Sequence, residues 1–164
     1  MQESSYYCSF IKSEIGFWIV KSDDQAIIDI TFSDIKPEEA PEENEISKEG
    51  ASQLAEYFNK KRQSFNLPPH TDKYTLFYQE VWTALSNIPF GRTMSYSQLA
   101  HTINKPNAVR AVGMANGKNP FPIIIPCHRV IGKDQKLTGY AYGLKVKKWL
   151  LEHEGVFAEQ GSLF

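Results

Sequence analysis

Apolar and polar positions alternate over three short stretches at the start of the chain, residues 6–11, 17–20 and 26–32, parted by Gly16 and by Ser22-Asp23-Asp24. Period-two alternation rich in aromatic and β-branched residues predicts an antiparallel meander. Residues 33–49 are dense in Glu and Pro with few apolar positions, which predicts a surface connection. The period then changes. Ala51, Leu54, Ala55 and Phe58 stand at i, i+3, i+4 and i+7, one face of a helix that crosses over the meander. Pro68-Pro69 ends this region and marks a boundary, giving a sheet domain over residues 1–70.

In the second half, Tyr74, Phe77, Tyr78, Val81, Trp82 and Leu85 form a helical stripe that Asn87-Ile88-Pro89-Phe90-Gly91 stops. Ser95 with Gln98 makes a capping box opening a short helix through about Ile103, and Lys105-Pro106 separates it from another helix beginning near Asn107. Two short helices joined by a tight turn predict a helix-turn-helix. The second carries Ala108, Arg110, Ala111, Gly113 and Ala115, a thin surface that suits either a groove or tight helix packing. The fold class is therefore α+β: a small N-terminal antiparallel sheet with a crossover helix, then a mostly helical domain over residues 71–164.

Composition narrows the setting. The 164 residues are 41% apolar, enough for a core, and hold no apolar run of membrane-spanning length or basic leader at Met1 to Ser5. Two cysteines in unlike contexts suit a reducing compartment, so a soluble cytoplasmic protein without a targeting segment is expected. The net charge of −1 conceals an asymmetry. Residues 1–70 carry 7 Lys and Arg against 13 Asp and Glu, and residues 71–164 carry 11 against 6. A polyanion would bind the second half, unless the two faces only solvate the protein.

The chemistry concentrates where the apolar run Ile123-Ile124-Ile125 meets Pro126-Cys127-His128-Arg129-Val130. Cysteine attacks as thiolate, and adjacent positive charge, a histidine or the start of a helical turn lowers its pKa toward neutrality. On an extended chain Cys127 and His128 point apart, so a bridging water is easier than direct contact. Cys8 lies in an alternating strand and reads as packing. The two cysteines and four histidines match no zinc-site spacing. On the residues alone, a buried thiol beside a polar turn remains an alternative.

The Pro-Cys-His-Arg-Val core resembles the alkylguanine-DNA alkyltransferases, also called methylated-DNA protein-cysteine methyltransferases. The resemblance extends through Ile88-Pro89-Phe90-Gly91, Ser95-Tyr96, Arg110-Ala111-Val112-Gly113, Asn119-Pro120, Gly139-Tyr140 and Trp149-Leu150-Leu151-Glu152-His153-Glu154-Gly155. It covers about residues 72–157 strongly and the acidic half weakly. It implies a DNA repair protein in which Cys127 takes an alkyl group from O6 of guanine, with O4 of thymine as an alternative, once per molecule and without metal or organic cofactor. A non-reacting lesion sensor would lack the acceptor cysteine. A cysteine hydrolase would need a thiolate, a base and an oxyanion site, and nothing in the sequence suggests a substrate channel for it; a sequence-reading regulator would leave the Cys-His-Glu set without purpose.

The resemblance also assigns roles. His128 activates Cys127 through a water and Glu154 orients His128, a triad with water inserted. The second helix enters the minor groove of double-stranded DNA through Ala108, Ala111 and Gly113, and Arg110 fills the gap left by the rotated nucleotide. The Tyr96 hydroxyl meets guanine N3 and can protonate the leaving base. Carbonyls of Cys127 and Val130 take the exocyclic amine, and the Ala141 N–H faces the reacting oxygen. Asn119 braces the reactive turn, and Tyr140 walls the pocket. Ala141 lacks a hydroxyl found in some relatives. Tyr142 stands where others have glycine or tryptophan, which predicts good reaction with methyl and poorer reaction with benzyl adducts. The first half lacks the cysteine and histidine ligands that give some relatives a zinc site there, so no zinc is expected. The protein is expected to be a monomer. Its ending, Gln160-Gly161-Ser162-Leu163-Phe164, resembles the peptide by which bacterial repair proteins bind the sliding clamp, a frayed apolar terminus being the simpler reading.

Overall fold

A computed structural model describes residues 5–38 and 42–157. The chain divides into two compact units, residues 1–71 and 72–164. Residues 160–164, with their clamp-like sequence, lie outside the described residues.

The first unit is built on β1 (Tyr7–Ser13), β2 (Gly16–Ser22) and β3 (Ile27–Ser33), paired antiparallel in that order. The register sets Phe10 opposite Ile19 and Val20 opposite Ile30. Trp18, Val20, Ile27 and Ile30 are fully buried beneath the helix α1 (Glu45–Phe58). That helix begins earlier than the sequence suggests, inside the stretch expected to be surface connection. Asn44 caps it: its Oδ1 accepts from the Ser47 N–H at 2.8 Å, and Ser47 Oγ accepts from the Asn44 N–H at 3.1 Å. The acidic Glu45 and Glu49 face solvent, which is why composition alone conceals a helical turn. The buried face also differs, running through Ser47, Gly50, Ala51, Leu54 and Tyr57, while Ala55 and Phe58 are half-buried. Gly50 sets how closely helix and sheet approach, because a Cβ there would lie 2.7 Å from Val20 Cγ1.

Pro68-Pro69 packs onto the sheet. The Ile27 N–H donates to Pro68 O at 3.2 Å and the His70 N–H to Ile27 O at 2.8 Å, so the pair extends the sheet edge.

The second unit contains α2 (Leu76–Ser86), α3 (Tyr96–Thr102), α4 (Val109–Gly117) and α5 (Leu144–His153). The stripe expected from Tyr74 begins later as a helix. Thr75 caps α2 and Tyr74 stands outside it, its ring 4.7 Å from that of Trp82. Trp82 is the anchor: its Nε1 donates to Ala115 O at 2.9 Å, tying α2 to α4, and Phe121 packs edge-on beneath it. Both arms of the Ser95–Gln98 capping box form, at 2.8 and 3.1 Å. Asn104, at φ 59°, turns the chain between α3 and α4 and completes the helix-turn-helix. Two short strands, β4 (Met94–Ser95) and β5 (Val130–Ile131), pair in parallel and pin the start of α3 beside the reactive segment. Among the described residues no helix is long and apolar enough to cross a membrane. The small antiparallel sheet followed by a helical unit is the α+β class expected from the sequence.

Candidate active site

The segment from Asn119 to Val130 carries almost no regular structure, yet side-chain and turn hydrogen bonds hold it in place. Asn119 supplies two of them: its Nδ2 donates to Ile125 O at 2.7 Å and its Oδ1 accepts from the Phe121 N–H at 2.9 Å. The Ile125 N–H closes a turn onto Phe121 O at 2.8 Å. Pro126, whose missing N–H costs nothing at the head of a turn, then opens a single 3-10 turn, Cys127–Arg129. The segment is therefore not extended at Cys127-His128, and the two side chains leave a turn rather than opposite faces of a strand.

Cys127, 5% exposed, sits in a cavity of about 220 Å³ lined also by Tyr96, Gly113, Asn116, Asn119, Tyr140, Ala141 and Tyr142. The rings of Tyr140 and Tyr142 meet edge to face at 5.9 Å on one wall. A Cβ on Gly113 would lie 3.7 Å from the Tyr96 ring, so the helix passes close by that side chain. The Tyr96 hydroxyl donates to Thr138 O at 3.1 Å. Six sequence-expected residues thus meet Cys127 at one cavity. Val130 is buried away from its lining, and Arg110 and Ala111 stand exposed on α4, with Ala108 at its cap.

His128 and Glu154 form a second group, both buried. His128 Nε2 lies 2.7 Å from Glu154 Oε1. A carboxylate only accepts, so Nε2 carries the hydrogen and Nδ1 is left as an acceptor. Nδ1 is buried and has no hydrogen-bond partner among the described residues. Burial lowers the His128 pKa against the opposing pull of Glu154, which keeps the ring neutral at rest.

Arg129, two residues from Cys127 in sequence, turns away from it. Its Nε donates to Glu154 Oε2 at 2.9 Å, Nη2 to Oε1 at 3.0 Å and Nη1 to Ile88 O at 2.6 Å. The Gly91 N–H adds a fourth bond to the carboxylate at 3.2 Å. Burial alone would raise the Glu154 pKa, but His128 and Arg129 outweigh it and hold the carboxyl below its ordinary range.

The Cys127 thiol moves opposite to the sequence expectation. Burial raises its pKa, and the Asn119 amide, the Lys147 charge and the backbone N–H groups of Cys127 and His128 offset this only in part. The cationic neighbour assumed from sequence is engaged by Glu154, and desolvation of the thiolate dominates. At rest the group is a thiol.

Residues 76–156 match the family 6-O-methylguanine DNA methyltransferase, DNA binding domain. Residues 6–69 match 6-O-methylguanine DNA methyltransferase, ribonuclease-like domain. The chain belongs to the 6-O-methylguanine DNA methyltransferase family. It is similar to the methylated-DNA–protein-cysteine methyltransferase of Methanosarcina barkeri, 44% identical over 156 residues that cover 90% of this chain and 96% of that protein. The crystal structure of the Mycobacterium tuberculosis O6-methylguanine methyltransferase is 36% identical, with a TM-score of 0.80 over 97% of this chain and 98% of that one. A crystal structure of the M. tuberculosis protein OGT in complex with DNA is 38% identical, with a TM-score of 0.78 over 91% of each chain.

In this family member two site residues escape sequence reasoning, Asn116 in the cavity lining and Lys147. Lys147 on α5 is fully buried, and its Nζ donates to Val130 O at 2.6 Å, Thr138 O at 2.9 Å and Gly139 O at 3.2 Å. It fastens the 138–139 loop over the reactive turn and places a positive charge near Cys127. Burial lowers its pKa to about 8, partly opposed by Cys127. Only its position among the buried residues Val146, Leu150 and Leu151 hints at this, because a lysine in a charged helix reads as surface.

Proposed function

We propose that this alkyltransferase repairs DNA by moving the alkyl group from O6 of guanine onto Cys127 Sγ, irreversibly and once per molecule. The observation that carries the assignment is the Cys127 thiol in a cavity of nucleobase size, with a neutral His128 behind it whose Nδ1 is free to accept a proton. The thiol proton passes through one water to Nδ1, and the imidazolium is stabilised by Glu154. Sγ attacks the alkyl carbon, the carbon–oxygen bond breaks, and its electron pair leaves with guanine. Tyr96 protonates the departing base at N3, and Lys147 and the turn's N–H groups support the transient thiolate. The Ala141 N–H faces the leaving oxygen.

The second unit carries both DNA binding and the acceptor. The helix α4 enters the minor groove through Ala108, Ala111 and Gly113, and Arg110 occupies the space of the rotated nucleotide. The relatives' printed names and the M. tuberculosis DNA complex support methylated DNA as substrate. In this reading the protein works as a cytoplasmic monomer. A sliding-clamp contact through residues 160–164 rests on sequence resemblance alone, and unchanged clamp binding after their deletion would end it.

The test is intact-protein mass spectrometry after incubation with an oligonucleotide carrying O6-methylguanine. One added methyl group in the wild type and none in Cys127→Ala is expected. Lesion binding without any mass gain would make the protein a sensor and remove Cys127 from the role of acceptor.

A further inference from the structure

We propose that Met114 is an apolar wedge, seated in the minor groove one helical turn beyond Arg110, that opens the base step beside the lesion and so promotes rotation of the damaged nucleotide. The inference rests on the reading of α4 as the helix that enters the groove. Met114 is 60% exposed, and its neighbours on that face are glycines, Gly113 before it and Gly117 three residues on. Both glycines line the Cys127 cavity, whereas Met114 stands outside it. A Cβ on Gly117 would meet nothing within 4 Å, so the helix surface beside the thioether is low.

A lone exposed methionine is ordinary on a protein surface, but the setting of this one is not. At about 100° per residue, Arg110, Met114 and Lys118 stand at i, i+4 and i+8 and form one row along the helix. Both cations are exposed. A row that is cationic at its ends and apolar at its centre matches a polyanion whose phosphates flank sugars and stacked bases. An apolar protein surface docked here would desolvate both charges without pairing them.

The side chain itself sets the kind of contact. A thioether donates no hydrogen bond and accepts only weakly, so Met114 neither reads the acceptors on the groove floor nor grips phosphate. It packs against sugar and base faces, and its three rotatable bonds let it follow an irregular opening. Its Cα lies about 6 Å further along the helix than that of Arg110, less than two base-pair steps of about 3.4 Å. With Arg110 in the vacated space, Met114 falls at the adjoining step. Arg110 then replaces the stacking lost after rotation, and Met114 lowers the cost of starting it.

The experiment compares single-turnover methyl transfer from O6-methylguanine in duplex DNA with reaction of free O6-benzylguanine base, which has no duplex to open. Met114→Ala should slow the duplex reaction about tenfold, the effect of losing the burial of one methionine side chain. Its free-base rate should stay within about twofold of wild type, which reports that the fold and Cys127 are intact. Met114→Leu, apolar and of similar volume, should keep the duplex rate within about threefold, and Met114→Gln, of similar length but polar, should lose as much as alanine. With 2-aminopurine on either side of the lesion, the rise in fluorescence that reports unstacking should be present with the wild type and diminished with Met114→Ala at saturating protein. An unchanged duplex rate in Met114→Ala, equal losses on duplex and free base, or a glutamine variant that matches leucine overturns the inference. A duplex loss in Arg110→Ala with none in Met114→Ala overturns it while keeping α4 in the groove. No loss in either variant removes α4 from the groove as well, and absence of methyl transfer by the wild type overturns the reading of Cys127.

Discussion

Replacing Glu154 by Gln keeps the side-chain volume and removes one charge, and the surrounding donors determine the consequence. Each carboxylate oxygen faces two donors: Oε1 meets His128 Nε2 and Arg129 Nη2, and Oε2 meets Arg129 Nε and the Gly91 N–H. An amide offers one acceptor and one donor, so either orientation sets its NH2 against two of those groups. The least costly arrangement turns the NH2 toward His128 and makes Nε2 an acceptor. That tautomer carries its hydrogen on Nδ1, where the Cys127 proton has to go. The rate of methyl transfer should therefore fall on the order of 10³- to 10⁴-fold, the cost of a wrong tautomer in a related triad. Stability should fall by about 3–5 kcal/mol, because the Arg129 charge stays buried with its partner neutralised. Single-turnover transfer followed by intact mass, corrected for the folded fraction from thermal melts, separates the two effects. A folded Glu154→Gln protein reacting within tenfold of wild type would refute the role of the His128–Glu154 pair.

The same carboxylate sets an acid limit. Its folded pKa lies below the unfolded value, so its stabilisation is complete above about pH 4.5 and is lost as pH falls toward the folded pKa. His128, depressed by burial, adds a loss of the same sign below its unfolded pKa, and denaturant titrations from pH 7 to 3 should show stability falling throughout and a shallower fall in Glu154→Gln. Lys147→Met should release the 138–139 loop and slow transfer at least tenfold. Because the unfolded chain binds more protons than the folded one between pH 8 and 10.5, wild-type stability should rise over that window relative to this variant, and a constant difference would contradict a buried ammonium. Arg110→Ala should cut the rate on duplex DNA by tenfold or more and leave reaction with free O6-benzylguanine base unchanged; equal losses on both would place Arg110 outside base rotation. Tyr142→Gly should raise the benzylguanine rate at least tenfold with methyl transfer within threefold, and equal wild-type rates on both adducts would remove the steric argument.

How much of the molecule is legible in its sequence depends on how local each determinant is. The meander, the Ser95–Gln98 capping box and the helix-turn-helix are written in contiguous residues, and the structure contains them. The start of α1 is hidden because its cap is Asn44 with Ser47, a less familiar pair, set among acidic residues. The grouping of His128 with Glu154 spans 26 residues and is accessible only through family resemblance. Arg129 and Lys147 are illegible for the same reason: their charges are neutralised or bonded by groups distant in sequence, and local context gives the wrong sign for the Cys127 pKa.

That sign bears on how a single-use nucleophile survives until it is needed. A thiolate exposed at neutral pH would be open to oxidation and to stray electrophiles, each event destroying the molecule as surely as repair does. Burial holds Cys127 as a thiol, while every element for stabilising its anion is already in place: Lys147, the Asn119 amide, the N–H groups of its own turn, and a neutral His128. A base filling the cavity removes water that would hydrate a free thiolate, so the proton leaves toward His128 only as Sγ engages the alkyl carbon. The nucleophile is thus generated in the presence of its target, and raising the resting pKa protects the protein without removing the machinery that makes Cys127 react.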